Sequence, residues 1–349
     1  MSKLKTTQLV NAFSGLGEYL LNPDDQLKAL IDSEHHYNAW FTPENVKLAV
    51  TSIGKSLNAA DLIAWLSKYQ IDTNIGGKKV GLILAGNIPL VGFHDVICVL
   101  ASGNYALVKA SAQDARLINH ILNKLVEIEP AFGYQYSFVE RLENFEAVIA
   151  TGSNNTSRYF EYYFSKVPHI IRKNRNSVAV LTGNETEAEL VELGHDIFDY
   201  YGLGCRNVSK LLIPKDYDFT FLFESIQSYY PIINHNKYNN NYDYNKSIYL
   251  VNLAKHLDNG FLLIKEDENW VSPLAVLFYE YYENIPAAEQ KIKDVSDKIQ
   301  CVVSTLPLQI PNQVVNLGMS QQPALWDYAD GIDTMDFLSN LYTFEGGKS

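Results

Sequence analysis

The chain has 349 residues, 47% hydrophobic and 19% charged, with a formal net charge of −12 and a pI near 5.1. That length exceeds one ordinary hydrophobic core and predicts two domains in a folded protein. The acidic balance argues against nucleic acid as a partner, because phosphate binding draws on clustered Lys and Arg, and against steady adhesion to an anionic membrane surface.

The longest apolar stretch, residues 80–93, is interrupted by Asn87 and stopped by His94 and Asp95. It falls short of the ~20 residues that a membrane-spanning helix needs. The opening MSKLKTTQLVNAFSGLGEYLL has neither a continuous apolar core nor a small-residue cleavage site, so no signal peptide is expected. Three well-separated cysteines make no disulfide framework and predict a reducing, cytoplasmic setting.

In chain order, residues 1–70 read as amphipathic helices, as in TPENVKLAVTSIGKSL with Thr42 as cap and Pro43 in the first turn. From Lys79 the texture changes. KKVGLILAG, NYALVKAS and FEAVIATGS read as buried strands, each followed by a helix: NIPLVGFHDVICVLASG after its turn, AQDARLINHILNKLVEI and NNTSRYFEYYFSK. After residue 172 the rhythm restarts with strand SVAVLTG, helix ETEAELVELGHDIFDYYG, a cysteine loop and strand NVSKLLIP. Such alternation predicts parallel sheets covered on both faces. The expected divisions are 1–172, 173–333 and a tail 334–349 that returns to the first domain or meets a neighbouring subunit. Residues 234–246, NHNKYNNNYDYNK, read by composition as a surface loop or frayed helix end.

Several positions carry chemistry. In AGNIPL a strand ends in a loop whose Asn87 can present an amide N–H to a reacting oxygen, or can simply make the turn before Pro89. In VKAS, Lys109 at a strand's carboxyl end suits a ribose hydroxyl or phosphate, or snorkels at a sheet edge. In ATGSN, Gly152 and Ser153 leave backbone amides for a pyrophosphate, and Ser153 is equally a helix cap. The fingerprint Gly-x-Gly-x-x-Gly after a strand is absent.

Cys98 and Cys301 sit in oily sequence and read as small buried hydrophobes. Cys205, between Gly204 and Arg206, reads as a nucleophile whose thiolate nearby charge and backbone N–H groups favour, or as a surface thiol without a task. In KEDENWVSPL, Glu266 or Glu268 can grip a ribose diol beside Trp270, or form an acidic turn. The eight histidines show no metal-ligand spacing, and no metal is expected.

In order along the chain, GNIPL, LVKAS, TGS and GLGCR resemble the aldehyde dehydrogenase superfamily. The blocks AGNIPLVGFHD, SGNYALVKAS, NSVAVLTG, GLGCRNVSKLLIP and QPALWDYADGIDTMDFL are more closely similar to the LuxC-type long-chain acyl-CoA reductases, over most of residues 75–340. The resemblance implies an aldehyde-dehydrogenase-like α/β fold of two parallel-sheet domains with a helical N-terminal region. It implies Cys205 as nucleophile and Asn87 as oxyanion-stabilising amide. Lys109 and Ser111 match the adenosine-ribose contacts, Gly152 and Ser153 the pyrophosphate turn. Glu268 is set against the nicotinamide-ribose glutamate, although its spacing to Pro273 is one residue longer than in Glu-x-Phe-Gly-Pro.

Where hydrolytic members carry a glutamate base in Glu-Leu-Gly-Gly-Lys, this chain has RKNRNS, with Arg172 in the glutamate's place. Arg172, Lys173 and Arg175 then read either as a phosphate-binding cluster or as a solvated charge run. The implied activity is reduction of a long-chain acyl-CoA to aldehyde with NADPH through a cysteine thioester. Ala112 stands where NAD-preferring members place a glutamate. The rivals are a short-chain CoA-acylating aldehyde dehydrogenase, a NAD-dependent oxidation to acid, and a binding module that keeps the fold without catalysis. A homo-oligomer and acyl-activating or acyl-transferring partner proteins are compatible with the resemblance.

Overall fold

The computed structural model describes residues 4–71 and 77–341. The chain divides into two compact units, residues 1–174 with 324–349, and residues 175–323.

The first unit opens with α1 (Thr6–Leu21), α2 (Asp25–Ser33), α3 (Pro43–Ser56) and α4 (Ala59–Leu66). The cap legible in TPEN forms: Thr42 Oγ1 accepts from the Asn45 N–H at 3.4 Å, with Pro43 at the first helical position. The alternation then runs β1 (Lys79–Ile83), α5 (Phe93–Ala101), β2 (Tyr105–Lys109), α6 (Ala115–Ile128), β3 (Tyr136–Phe138), β4 (Ala147–Thr151), α7 (Asn154–Phe164) and β5 (His169–Arg172).

These strands form a parallel sheet in the order β3-β2-β1-β4-β5. The chain builds outward from β1 through β2 to β3, then crosses back to place β4 on β1's other side. The order therefore reverses between β1 and β4, and in open α/β sheets ligands bind beyond the strand ends at such a reversal.

The second unit contains β6 (Asn176–Val180), α8 (Glu187–Phe198), β7 (Val208–Ile213), α9 (Phe219–Ser225), α10 (Asn236–Val251), β8 (Leu257–Asp258), β9 (Leu263–Glu266), β10 (Val276–Tyr281), α11 (Ile285–Lys293), β11 (Ile299–Val303) and β12 (Gln313–Val315). Its sheet order is β12-β11-β6-β7-β10-β9-β8, parallel except for the short edge pair β8–β9. The chain then re-enters the first unit. Leu325, Tyr328 and, from α12 (Thr334–Ser339), Met335 and Leu338 join the same apolar core as β1, β2 and α5.

The Asn/Tyr-rich patch is a correction to the composition reading. It forms most of α10, a 16-residue helix. Tyr238, Tyr242 and Asn245 are its buried residues, at a spacing of four and three, so the tyrosine bodies supply the stripe that Leu or Ile supply elsewhere. Asn245 Nδ2 donates to the Leu274 carbonyl at 2.9 Å.

Candidate active site

In the first unit, three adjacent strands end where the sequence places its cofactor residues. Ile83, the last residue of β1, pairs with Lys109 on one side and Ala150 on the other. Asn87 follows β1, Lys109 ends β2 with Ser111 just beyond, and Gly152–Ser153 follow β4. Asn87, Lys109 and Ser153 are exposed, while Ser111 and Gly152 are half-buried. Beta strands β2, β1 and β4 thus bring five of the predicted residues to one edge, at the sheet's reversal point.

The backbone there is closely packed. A Cβ on Gly86 would run into Ser111 Oγ, and one on Gly152 would meet Phe160 at 2.9 Å and Thr156 at 3.1 Å. Neither position accommodates a side chain without displacement. Ser153 caps α7: its Oγ accepts from the Thr156 N–H at 3.3 Å. The N-terminus of α7, the end of a helix that favours anions, thus directly follows β4. A helix N-terminus and an exposed lysine at adjacent strand ends are the kinds of group that bind ribose and phosphate in open α/β sheets.

The basic cluster is corrected. Arg172 is only 4% exposed. It is neither a solvated charge nor a phosphate ligand: Nε and Nη2 donate to Asp95 at 3.1 and 2.6 Å, Nη1 to the Ala329 carbonyl at 2.6 Å, and Nη2 also to Thr334 Oγ1 at 2.9 Å. Lys173 pairs with Glu161 at 2.7 Å on the surface, and Arg175 reaches the Ile299 carbonyl at 3.5 Å. The readable signal was Asp95, a lone acid inside the apolar run FHDVICVLA.

In the second unit, Cys205 lies in the loop that enters β7 and is half-buried. Two side chains hold that loop. Ser177 Oγ donates to the Cys205 carbonyl at 3.1 Å. Asn207 Oδ1 accepts from the Gly204 N–H at 2.8 Å, while its Nδ2 donates to the carbonyls of Asp196 and Asp199 at 3.1 and 2.9 Å. Just upstream, Tyr200, Tyr201 and Gly202 stand in succession at φ 54°, 59° and 76°. Two bulky residues in the left-handed region store strain, which is characteristic of functional loops.

The other two thiols are buried. Burial, with the Asp95 charge adding to it, pushes the Cys98 pKa well up. Burial also raises that of Cys301, against the opposing charge of Arg206. Arg206 itself is turned inward, to Gln313 Oε1 at 3.1 Å and the Ser320 carbonyl at 3.4 Å. Its charge therefore reaches Cys301, a partner that chain adjacency to Cys205 did not suggest.

Glu268 is exposed on the loop that follows β9. That loop is tied to the same strands as the cysteine loop. Asn176, next to Ser177, donates from Nδ2 to the Trp270 carbonyl at 2.5 Å, and Ser209 Oγ donates to the same oxygen at 3.1 Å. Lys210, fully buried, donates to the carbonyls of Asp267 and Glu268 at 3.0 and 3.2 Å and pairs with Glu280 at 2.7 Å. Burial, with the charge of Lys291 adding, pulls its pKa down to about 8. Asn176, Ser177 and Lys210 are supporting residues that the sequence reading missed. A lysine inside the apolar strand VSKLLI was the available sign.

Among the described residues no group of His, Cys, Asp and Glu is arranged to hold a metal ion, and no helix is long and apolar enough to cross a membrane.

The fold is that of the aldehyde dehydrogenases. A Physcomitrella patens aldehyde dehydrogenase in complex with the reaction product succinate superposes with a TM-score of 0.69 at 11% identity, over 97% of this chain and 84% of that one. A Mycobacterium tuberculosis aldehyde dehydrogenase complexed with NAD+ gives 0.64 at 13% identity, over 97% and 84%. A NAD-dependent benzaldehyde dehydrogenase from Corynebacterium glutamicum gives 0.65 at 12% identity, over 90% and 82%. No protein-family model matches the chain, and the comparison with curated proteins finds no match.

Proposed function

We propose that this protein is an acyl-CoA reductase that converts a long-chain fatty acyl-CoA to the aldehyde with NADPH. The aldehyde-dehydrogenase-like fold supports the broader class, an oxidoreductase acting on an aldehyde or acyl group with a nicotinamide cofactor. The observation that carries the narrower reading is Arg172. It stands where the resemblance puts the hydrolytic base, it cannot accept a proton at neutral pH, and its buried pair with Asp95 holds it there.

In this reading Cys205, as thiolate, attacks the thioester carbonyl, and the Asn87 amide and a backbone N–H near Cys205 stabilise the tetrahedral oxyanion. The C–S bond to coenzyme A breaks, the coenzyme A thiolate leaves and takes up a proton, and the acyl group remains on Cys205. The cofactor, when bound, supplies the hydride that reduces this acyl carbon; the C–S bond to Cys205 then breaks, releasing the aldehyde and returning the thiolate. Lys109 and Ser111 hold its adenosine ribose, Gly152 and Ser153 its pyrophosphate, and Glu268 its nicotinamide ribose. Ala112 is exposed and brings no carboxylate against a 2′-phosphate. Asp114, the nearest acid in the segment, is turned inward to the Leu90 N–H, which supports NADPH over NADH.

A short-chain CoA-acylating aldehyde dehydrogenase would use the same residues in reverse. NADPH and NADH consumption with acyl-CoAs of graded length, with the product identified, tests the assignment. Aldehyde formed from long chains with NADPH supports it. Efficient acyl-CoA formation from short aldehydes with NAD+ favours the alternative.

A further inference from the structure

We propose that Asp114 is a positioning residue for Asn87, fixing the turn that carries the amide by accepting the Leu90 N–H from beneath. This inference rests on the role proposed above for Asn87. The turn Gly86–Leu90 is held at both ends by buried side chains. At its start, Asn38 Nδ2 donates to the Gly86 carbonyl at 3.4 Å, and Gly86 packs so closely on Ser111 that no side chain fits between them. At its end, Leu90 stands at φ 58°, a left-handed conformation that a leucine adopts only when its surroundings impose it. The Leu90 N–H points to Asp114 Oδ2 at 2.9 Å, and the Leu90 carbonyl accepts the Phe93 N–H at 3.0 Å. Exposed Asn87 is thus carried on a turn whose shape is set by partners below it.

Asp114 is an unusual choice of clamp. It is 4% exposed, and its Oδ1 is buried without a hydrogen-bond partner. An Asn in this place would leave its second group equally unpaired but would carry no titratable proton. Among the described residues the charge that acts on Asp114 is that of Glu34, buried at the head of the 3-10 turn Glu34–His36; Arg116 of α6 pairs with Glu34 at 3.1 Å and stacks on the Tyr37 ring at 4.1 Å. Glu34 takes up the arginine, and its charge adds to the desolvation of Asp114, whose pKa rises to about 8. The bond to Leu90 therefore strengthens as Asp114 ionises, in the pH range where a thiolate enzyme works.

Two measurements test this. In protein labelled with 15N-leucine, the Leu90 amide resonance should titrate near pH 8 in the wild type and stay flat in Asp114→Asn. That readout needs no substrate, so it judges the clamp separately from the reductase assignment, which fails alone if acyl-CoA does not acylate Cys205. In stopped-flow acylation, with p-nitrophenyl acetate as a second acyl donor, Asp114→Ala should lower the rate about tenfold. In an Asn87→Ala background the same substitution should change it less than twofold. A Leu90 resonance indifferent to Asp114→Asn, or an equal loss from Asp114→Ala in both backgrounds, overturns the proposal.

Discussion

Arg172 and Asp95 face each other as a two-pronged pair, Nε to Oδ2 at 3.1 Å and Nη2 to Oδ1 at 2.6 Å, with both side chains almost removed from solvent. Removing one partner leaves a buried charge uncompensated, a loss of about 3–5 kcal/mol. Arg172→Met should therefore unfold at markedly lower denaturant, and pairing it with Asp95→Leu should restore much of the loss. Coenzyme A affinity, measured on the folded fraction, should stay within about twofold of wild type. Wild-type stability with weakened coenzyme A binding would return Arg172 to the role of phosphate ligand.

The three thiols should separate by chemistry. Iodoacetamide at neutral pH should label Cys205 first, because burial raises the pKa of Cys98 and Cys301 and shields both. Cys205→Ala should abolish turnover without loss of fold. Cys98→Ala and Cys301→Ala should keep turnover and cost about 1–2 kcal/mol as small core cavities. Peptide mapping that finds Cys301 labelled first would contradict this assignment.

Asn87→Ala should slow acylation of Cys205 by about 10²–10³, the usual loss on removing one oxyanion donor. Cofactor affinity should hardly move. An unchanged single-turnover acylation rate would reduce Asn87 to a residue that shapes a turn.

Stability should carry the mark of Asp114. Its folded-state pKa is raised to about 8 from the ordinary 3.8, so between those values the folded protein keeps a proton that the unfolded chain releases. The stability tied to that proton is full below pH ~4 and is lost as the pH rises through about 8. Asp114→Asn removes this dependence. Urea unfolding at pH 5, 7 and 9 should show the variant gaining steadily on the wild type, with a plateau above pH 8. A difference that does not vary with pH would contradict the burial of a protonated acid.

Much of this architecture is written in local pattern. The apolar runs at β1, β2 and β4 announce buried parallel strands, and the residues that follow them mark one edge of the sheet. Short β3 and β5 pass unnoticed because three or four residues carry no readable period. Arg172 reads as surface because its partner is 77 residues away and sequence shows no distance. Lys210 and Asn176 are silent for the same reason: what they do is hold the carbonyls of residues 267, 268 and 270, and backbone acceptors leave no trace in residue identity. Tyrosine-based burial hides α10 from composition. Charged residues within apolar runs, Asp95 and Lys210, are the signals that deserve more weight.

The most direct test of the reductase account is the fate of the acyl group on Cys205 when no cofactor is present. Rapid hydrolysis of a cysteine thioester requires a positioned base, worth about 10²–10⁴ in rate, and Arg172 occupies the position that resemblance gives to that base. Enzyme mixed with radiolabelled long-chain acyl-CoA should hold about one label per chain for many minutes and discharge it as aldehyde when NADPH is added. Rapid multiple turnovers to free acid without NADPH would contradict the account and make this protein a thioesterase or an oxidising dehydrogenase.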